Sequence, residues 1–169
     1  MTRLIPLLVT LVACGDAPEP DTGTDTEADT DTEVDTEAYS DDIVFTAFMS
    51  DNDGHSQDEA GDFDDWLTVG NVGSSPVLLA GWQLTDDHPE DVPWVFPPDT
   101  TLQPGEELLV WCDDEGTEGP LHADFRLSAD GETLTLLDPD GHVVQEVVVP
   151  ALATDQAYVR QTDGTWAVE

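Results

Sequence analysis

None of the short apolar runs in this chain keeps helical spacing over ten residues, and Gly or Pro interrupts nearly every gap between them. Short runs of β-branched and aromatic residues bounded by turn residues are typical of antiparallel β-strands. Eight or nine such strands at this spacing predict an all-β fold, an antiparallel sandwich or barrel. The predicted strands are residues 43–49, 66–69, 77–84, 92–96, 108–112, 125–127, 133–137, 143–149 and 157–160.

Three turn sequences support this prediction. Residues 138–141 read Asp-Pro-Asp-Gly between two predicted strands, so Pro sets the φ angle of the turn and Gly takes the positive φ that follows. Pro104 and Gly105 predict a type II turn that leads into the next strand. Asp130 and Gly131 predict a hairpin turn.

Four longer motifs carry a resemblance to a known family. They read DWLTVGN at 65–71, SSPVLLAGWQLTD at 74–86, LQPGEELLVW at 102–111 and FRLSADGETLTL at 125–136. In this order and spacing they resemble the lamin-tail domain, an immunoglobulin-like β-sandwich found in nuclear lamins and in many secreted bacterial proteins. The resemblance covers about residues 42–165.

The motif residues are predicted to serve the fold. Trp82 and Leu84 lie two positions apart, so they should face the same side of a strand and be buried against the opposing sheet. The residues assigned to this structural role are Trp66, Asn71, Gly81, Trp82, Leu84, Asp86, Pro104, Gly105 and Gly131.

The chain departs from the family pattern at two positions. The family usually shows an acidic residue where this chain has Thr68 and an aromatic residue where it has Gly70. No role of that acid is therefore carried over. Bacterial members of the family often accompany nuclease or other catalytic modules, and this chain contains no such module.

The N-terminus has the order of a secretory signal, with the charge of Arg3 followed by a short apolar run. The run is too short to remain as a membrane span. It ends in LVACG at 11–15, which resembles the bacterial lipobox. That resemblance implies cleavage before Cys14 and acylation of Cys14, with residues 1–13 as the signal peptide. The alternative is an ordinary signal peptide with Cys14 incidental.

Residues 14–42 are predicted to be a disordered linker. Residues 16–42 contain 12 acids and six Thr among 27 residues, and they have almost nothing to bury. Such a segment cannot offset its ordering entropy, and its like charges extend it. We expect a stalk that holds a folded domain, residues 43–169, away from a membrane. Calcium binding by the Asp-Thr repeat and O-glycosylation of its Thr residues are the alternatives.

The sign of the charge excludes some partners. The chain has 39 Asp and Glu against three Lys and Arg, giving a formal net charge of −36. A surface this acidic repels phosphate backbones and anionic headgroups. We therefore expect no nucleic-acid binding. Membrane contact is expected only through a lipid anchor.

The sequence contains no motif of an enzyme. It has no Gly-x-Ser-x-Gly, no His-Glu-x-x-His and no phosphate-binding loop, and no small-molecule substrate is evident. Cys112 ends an apolar strand beside acids that disfavour its thiolate, so it is predicted to be a packed thiol. Each His lies in a polar stretch and is predicted to be a surface loop residue. They are His55, His88, His122 and His142.

Calcium is a weaker alternative. Aligning Gly54 with the Gly of an EF-hand loop puts Met49 at position 1 and Ala60 at position 12, and neither side chain can be a ligand. The EF-hand match therefore fails. A looser oxygen site in the loop remains as an alternative, with candidates Asp51, Asp53 and Asp58. No metal or other cofactor is assigned.

These observations favour a non-enzymatic lipoprotein of the bacterial cell envelope. Its sandwich would bind or space an unknown protein or surface ligand. Gly15 after the Cys is typical of outer-membrane sorting. A calcium-dependent adhesion module and an accessory subunit of a separately encoded secreted enzyme are the alternatives.

Overall fold

The computed structural model describes residues 41–86, 92–114 and 116–169. This part of the chain forms twelve β-strands and no helix. The strands are β1 (Ile43–Met49), β2 (Trp66–Asn71), β3 (Val77–Leu78), β4 (Gln83–Thr85), β5 (Trp94–Val95), β6 (Thr101–Leu102), β7 (Glu107–Cys112), β8 (His122–Ala123), β9 (Glu132–Leu137), β10 (Val143–Val149), β11 (Tyr158–Arg160) and β12 (Trp166–Val168). The predicted signal peptide, almost all of the linker, and His88 lie outside the described residues.

The strands form two main sheets. The larger has the order β12-β11-β1-β2-β7-β8, and the smaller has the order β10-β9-β4-β5. Every pairing in them is antiparallel except β7 with β8. Strands β3 and β6 pair separately. This is the predicted all-β, immunoglobulin-like antiparallel sandwich. No helix in the described part of the chain is long and apolar enough to cross a membrane.

A bulge in β1 determines which of its side chains enter the core. The register with β2 shifts between Phe45 and Ala47, so the inward alternation resumes at Phe48 and both Phe rings are fully buried. Beside the bulge, the Phe45 backbone N–H donates to Gln145 Oε1 at 2.7 Å. Because Gln145 lies on β10, this bond joins the two sheets.

The core contains the residues that the sequence assigned to it. Trp82 and Leu84 are each 1% exposed, as their spacing on one face predicts. Other large members of the core are Ile43, Leu67, Leu79, Phe96, Leu102, Leu134 and Leu136. A second, smaller cluster of Met49, Trp66 and Trp111 packs on its own.

Two of the turn predictions are confirmed. Gly105 has a φ of 77°, and the Glu106 N–H donates to the Gln103 carbonyl at 3.0 Å, as a type II turn requires. The Gly141 N–H donates to the Asp138 carbonyl at 2.9 Å and closes the β9–β10 hairpin.

The hairpin predicted at Asp130-Gly131 is wrong, although a turn is present. The Gly131 N–H donates to the Ser128 carbonyl at 3.0 Å, but the following strand, β9, pairs with β10 and β4. Gly131 is required by space as well as by its φ of 91°, because a Cβ there would lie 2.7 Å from the Val149 carbonyl oxygen.

Several strand boundaries differ from the prediction. Residues 77–84 form two strands in different sheets, β3 and β4, because the turn at Ala80 and Gly81 separates them. Residues 125–127 form no strand and contribute one isolated bridge, Arg126 with Asp113. Strands β6, β8 and β12 have no counterpart among the predicted strands, because they are two or three residues long and too short for a periodic pattern.

Candidate functional site

The six-stranded sheet has two distinct ends. At one end, Asn71 pairs with Ile43, next to the point where the described chain begins. At the other end, Trp66 pairs with both Met49 and Trp111. The seven residues of β1 separate these ends by about 20 Å, at ~3.3 Å per residue. We call residues 71–75 and 102–107 the Asn71 end, and residues 50–66 and 113–123 the His122 end.

The β1–β2 loop at the His122 end is organised by a buried amide. Asn52 is 6% exposed, and its Nδ2 donates to the carbonyls of Ser56 and Asp64 at 2.7 Å each. Its Oδ1 accepts from the His55 N–H at 3.0 Å. Oδ1 also accepts from the Ser56 N–H at 3.3 Å. Because one side chain satisfies four backbone groups of the loop, the loop has a defined shape.

Asp58 closes a turn in the same loop. Its Oδ1 accepts from the backbone N–H groups of Ala60, Gly61 and Asp62 at 3.0, 2.7 and 2.7 Å. Burial raises the pKa of this carboxyl, but the three N–H bonds, together with an interaction with the Glu118 side chain, outweigh that effect and hold the pKa below its usual value. Its other oxygen, Oδ2, is buried without a hydrogen-bond partner.

The imidazole of His122 lies on β8 with its side chain fully buried. Nδ1 donates a short hydrogen bond to Oδ2 of Asp113, which is itself buried. Nε2 has no hydrogen-bond partner, and Oε1 of Glu59 lies 3.5 Å from it. Burial lowers the pKa of His122, but Asp113 and Glu59 together outweigh burial and raise it.

His122 is common to two groups of ligand atoms. One oxygen each of Asp58 and Glu59 lies with a His122 ring nitrogen in a set whose members are all within 4.8 Å of one another. Asp113 and Glu118 form a second such set with His122. Among the described residues these are the groups of three or more with the spacing of metal ligands. Both groups of potential metal ligands therefore lie at the His122 end.

Among the described residues, the buried side-chain polar atoms without a hydrogen bond lie at this end of the domain. Within the described ranges, four buried side-chain N or O atoms lack a hydrogen bond, and all belong to residues at the His122 end. They are Ser50 Oγ, Asp58 Oδ2, Trp66 Nε1 and His122 Nε2. Unpartnered buried polar groups are costly and rare, so their grouping requires an explanation.

The Asn71 end is organised differently. Asn71 is 1% exposed, and its Nδ2 donates to the carbonyls of Ser75 and Leu102 at 2.8 and 2.9 Å. Its Oδ1 accepts from the Gly73 N–H at 2.9 Å. These bonds hold the backbone around Asn71 in place. Beside it is an open hollow of about 270 Å³ lined by Thr46, Gly70, Asn71, Val72, Gly73, Gly105, Glu106 and Glu107.

The two positions that depart from the family pattern lie near this hollow. The Thr68 and Thr46 hydroxyls are 2.6 Å apart and hydrogen-bonded across β1 and β2. A Cβ at Gly70 would lie 2.9 Å from Cγ2 of Thr46. A larger side chain at position 70 would therefore need Thr46 to move.

The three calcium candidates have different partners in the structure. It places Asp58 in the cluster with Glu59 and His122. Oδ2 of Asp51 instead accepts from the Thr154 hydroxyl at 2.6 Å. Asp53 is exposed, and its backbone N–H donates to Asp155 at 3.0 Å.

The prediction that every His lies on the surface is wrong for His122. Its local sequence is polar, but parallel pairing of β8 with β7 places it opposite Trp111, inside the structure. His55 and His142 are exposed, as predicted. His55 packs on Trp66 with ring centroids 5.9 Å apart.

Cys112 is the buried thiol that the sequence predicts. It is 1% exposed and not in a disulfide. Burial, followed by the charges of Asp65, Asp113 and Glu132, raises the pKa of its thiol well above the usual value. A thiol held neutral in this way is a packing residue rather than a nucleophile.

No sequence pattern predicts that Glu59, Asp113, Glu118 and His122 form a group. The available signal was position. Asp113 directly follows a buried strand, and the acidic loop follows β1, so both emerge at one end of an antiparallel sheet. Pairing between β7 and β8 was not visible in a two-residue strand.

The fold and its sites define a class of protein, an immunoglobulin-like β-sandwich with elaborated loops at one end. The family model of the Lamin Tail Domain matches residues 36–151. The chain belongs to this family, whose domain is immunoglobulin-like and non-catalytic. Strands β11 and β12 lie beyond the match and extend the larger sheet beside β1. No curated protein matches the chain.

Proposed function

We propose that this chain is a lipoprotein of the bacterial cell envelope, anchored through Cys14, whose lamin-tail domain is a non-enzymatic binding or spacing module. The observation that carries the proposal is the LVACG sequence at 11–15, followed by an acidic linker and a domain of a non-catalytic family. Residues 1–13 act as the signal and residues 14–42 as the tether. Gly15 favours the outer membrane.

The geometry of the domain supports a display role, in which the tether presents the loops of the His122 end to a ligand. The chain enters the sandwich at Asp42, whose carbonyl accepts from the Val72 N–H at 2.8 Å at the Asn71 end. The loops of the His122 end emerge about 20 Å away along β1. A tether that joins the domain at one end leaves the opposite loops free to meet a protein or surface ligand.

Membrane fractionation tests the anchor. Wild-type protein is expected in the membrane fraction with Cys14 as its first residue, and Cys14→Ser is expected to be soluble or uncleaved. Cys112→Ser is the matched control. Because Cys112 is buried in the domain, this variant should remain in the membrane fraction. A soluble wild type whose first residue is not Cys14 would contradict the proposal.

Cross-linking at the surface of intact cells tests the display role. A photo-cross-linker at exposed Glu59 is expected to capture a partner, while one at exposed Glu107, at the Asn71 end, should capture it less. Capture of the same partner in equal yield from both positions would contradict a binding role for the His122 end. No capture from either would favour a spacer.

A further inference from the structure

The Nε2 atom of His122 is a buried nitrogen that faces a carboxylate. It belongs to a fully buried side chain, has no hydrogen-bond partner, and faces Oε1 of Glu59. The nearby Asp58 Oδ2 is also buried and unpartnered. A water or a cation between these two buried atoms would give both of them a partner.

We propose that Asp58, Glu59 and His122 bind a divalent transition-metal ion, and that zinc is the ion this ligand set fits. The three side chains supply two carboxylate oxygens and one imidazole nitrogen within 4.8 Å of one another. Zinc binds N and O ligands at about 2.0–2.2 Å. Two ligand atoms of one ion are therefore separated by at most about twice that distance, which is close to the 4.8 Å limit of this group.

The partner of Nδ1 supports this assignment. A metal-bound His usually donates its other ring N–H to a carboxylate, which fixes the tautomer and directs the free nitrogen at the ion. Asp113 accepts from Nδ1 in this way, and its own burial fixes its position. Asp113 is therefore a positioning residue that presents Nε2 to Asp58 and Glu59.

The imidazole distinguishes zinc from calcium. Calcium takes six to eight oxygen ligands, whereas imidazole nitrogen suits zinc and other transition ions. The other two calcium candidates of this loop are Asp51 and Asp53. Oδ2 of Asp51 is bonded to Thr154, and neither residue belongs to a group with the spacing of metal ligands among the described residues.

Charge also favours a cation. Asp58, Glu59, Asp113 and Glu118 surround a single imidazole, in a chain whose formal net charge is −36. A divalent ion would offset the repulsion between these carboxylates. Bound zinc would also join the β1–β2 loop, which carries Asp58, to β8, which carries His122.

Zinc titration of the full chain tests the site, with calorimetry for affinity and the ¹⁵N shift of the His122 imidazole for the ligand atom. Glu59→Gln removes an exposed ligand, and Asp58→Asn keeps the oxygen that closes the turn while replacing Oδ2. Asp53→Asn is the matched control, an exposed acid of the same loop outside the cluster.

We expect one tight equivalent of zinc, a metal-bound shift at Nε2 of His122, and persistence of both in excess calcium. Glu59→Gln and Asp58→Asn should each weaken this binding at least about tenfold, by analogy with removal of supporting groups in metal sites, and Asp53→Asn should leave it unchanged. Three results would each overturn the proposal: no tight equivalent, an unshifted His122, or equal weakening by Asp53→Asn. Displacement of zinc by equimolar calcium would also overturn it.

Discussion

Both ends of the sandwich shape a loop around a buried asparagine, but they differ in how completely the remaining buried polar atoms are paired. At the Asn71 end, the amide satisfies two carbonyls and one N–H, and no buried side-chain atom of residues 71–75 or 102–107 lacks a partner. At the His122 end, Asn52 satisfies its loop in the same way. Four buried polar atoms there still lack partners.

This difference in hydrogen bonding distinguishes polar groups that support the fold from polar groups that a ligand would pair. A polar group that only supports the fold is retained with its hydrogen bonds made, because an unmade bond costs about 1–3 kcal/mol. Two of the unpaired atoms at the His122 end belong to Asp58 and His122, which share one group of potential metal ligands. The Asn71 end therefore has the bonding of a structural element, and the His122 end is where we propose that a ligand binds.

The largest expected effect comes from the core that both ends share. Trp82→Ala should destabilise the domain by about 3–5 kcal/mol, because it leaves a large cavity between the sheets. Thermal and urea unfolding measure the loss. Trp166→Ala is the control, since Trp166 is half-buried on β12, and it should cost ~1–2 kcal/mol. Equal losses would contradict the placement of Trp82 in the shared core.

A matched pair of substitutions compares the two ends directly. Asn71→Ala and Asn52→Ala should each cost about 2–4 kcal/mol in urea unfolding without metal, because each strips several backbone groups of their partners. Only Asn52→Ala should weaken zinc binding, since it loosens the loop that carries Asp58 and Glu59. Weaker zinc binding by Asn71→Ala would show that the two ends are not independent.

A smaller effect is expected at Asp65, which precedes β2 at the His122 end. Burial, with the charges of Asp51 and Asp64, raises the pKa of its carboxyl to about 6. Protonation then favours the folded state, so ionised Asp65 destabilises the fold above pH 6 and has no such effect below the ordinary carboxyl pKa of 3.8.

Asp65→Asn should therefore stabilise the domain by about 1–2 kcal/mol at pH 7, after allowance for solvent screening. The gain should shrink as the pH falls through 6 and vanish near 4. Urea unfolding across this range measures it. Asp53→Asn, an exposed control, should change stability by less than ~0.5 kcal/mol. A gain that is the same at every pH would contradict the assigned cause.

The sequence predicted the sandwich well because its strands β1, β9 and β10 are long enough to show alternation and end at strong turn signals. Trp82 and Leu84 were assigned correctly for the same reason. The buried site was not predictable in this way. His122 lies in a two-residue strand, and only its pairing with Trp111 buries it. Its partners Glu59 and Asp113 are 54 residues apart in sequence.

Hydrogen exchange with and without zinc tests most directly whether the two ends differ as described. The account predicts that zinc slows exchange of the Ala60, Gly61 and Asp62 amides, which Asp58 binds, while exchange at Gly73 and Gly105 stays unchanged. Unchanged exchange in the β1–β2 loop, or equal slowing at both ends, would contradict it.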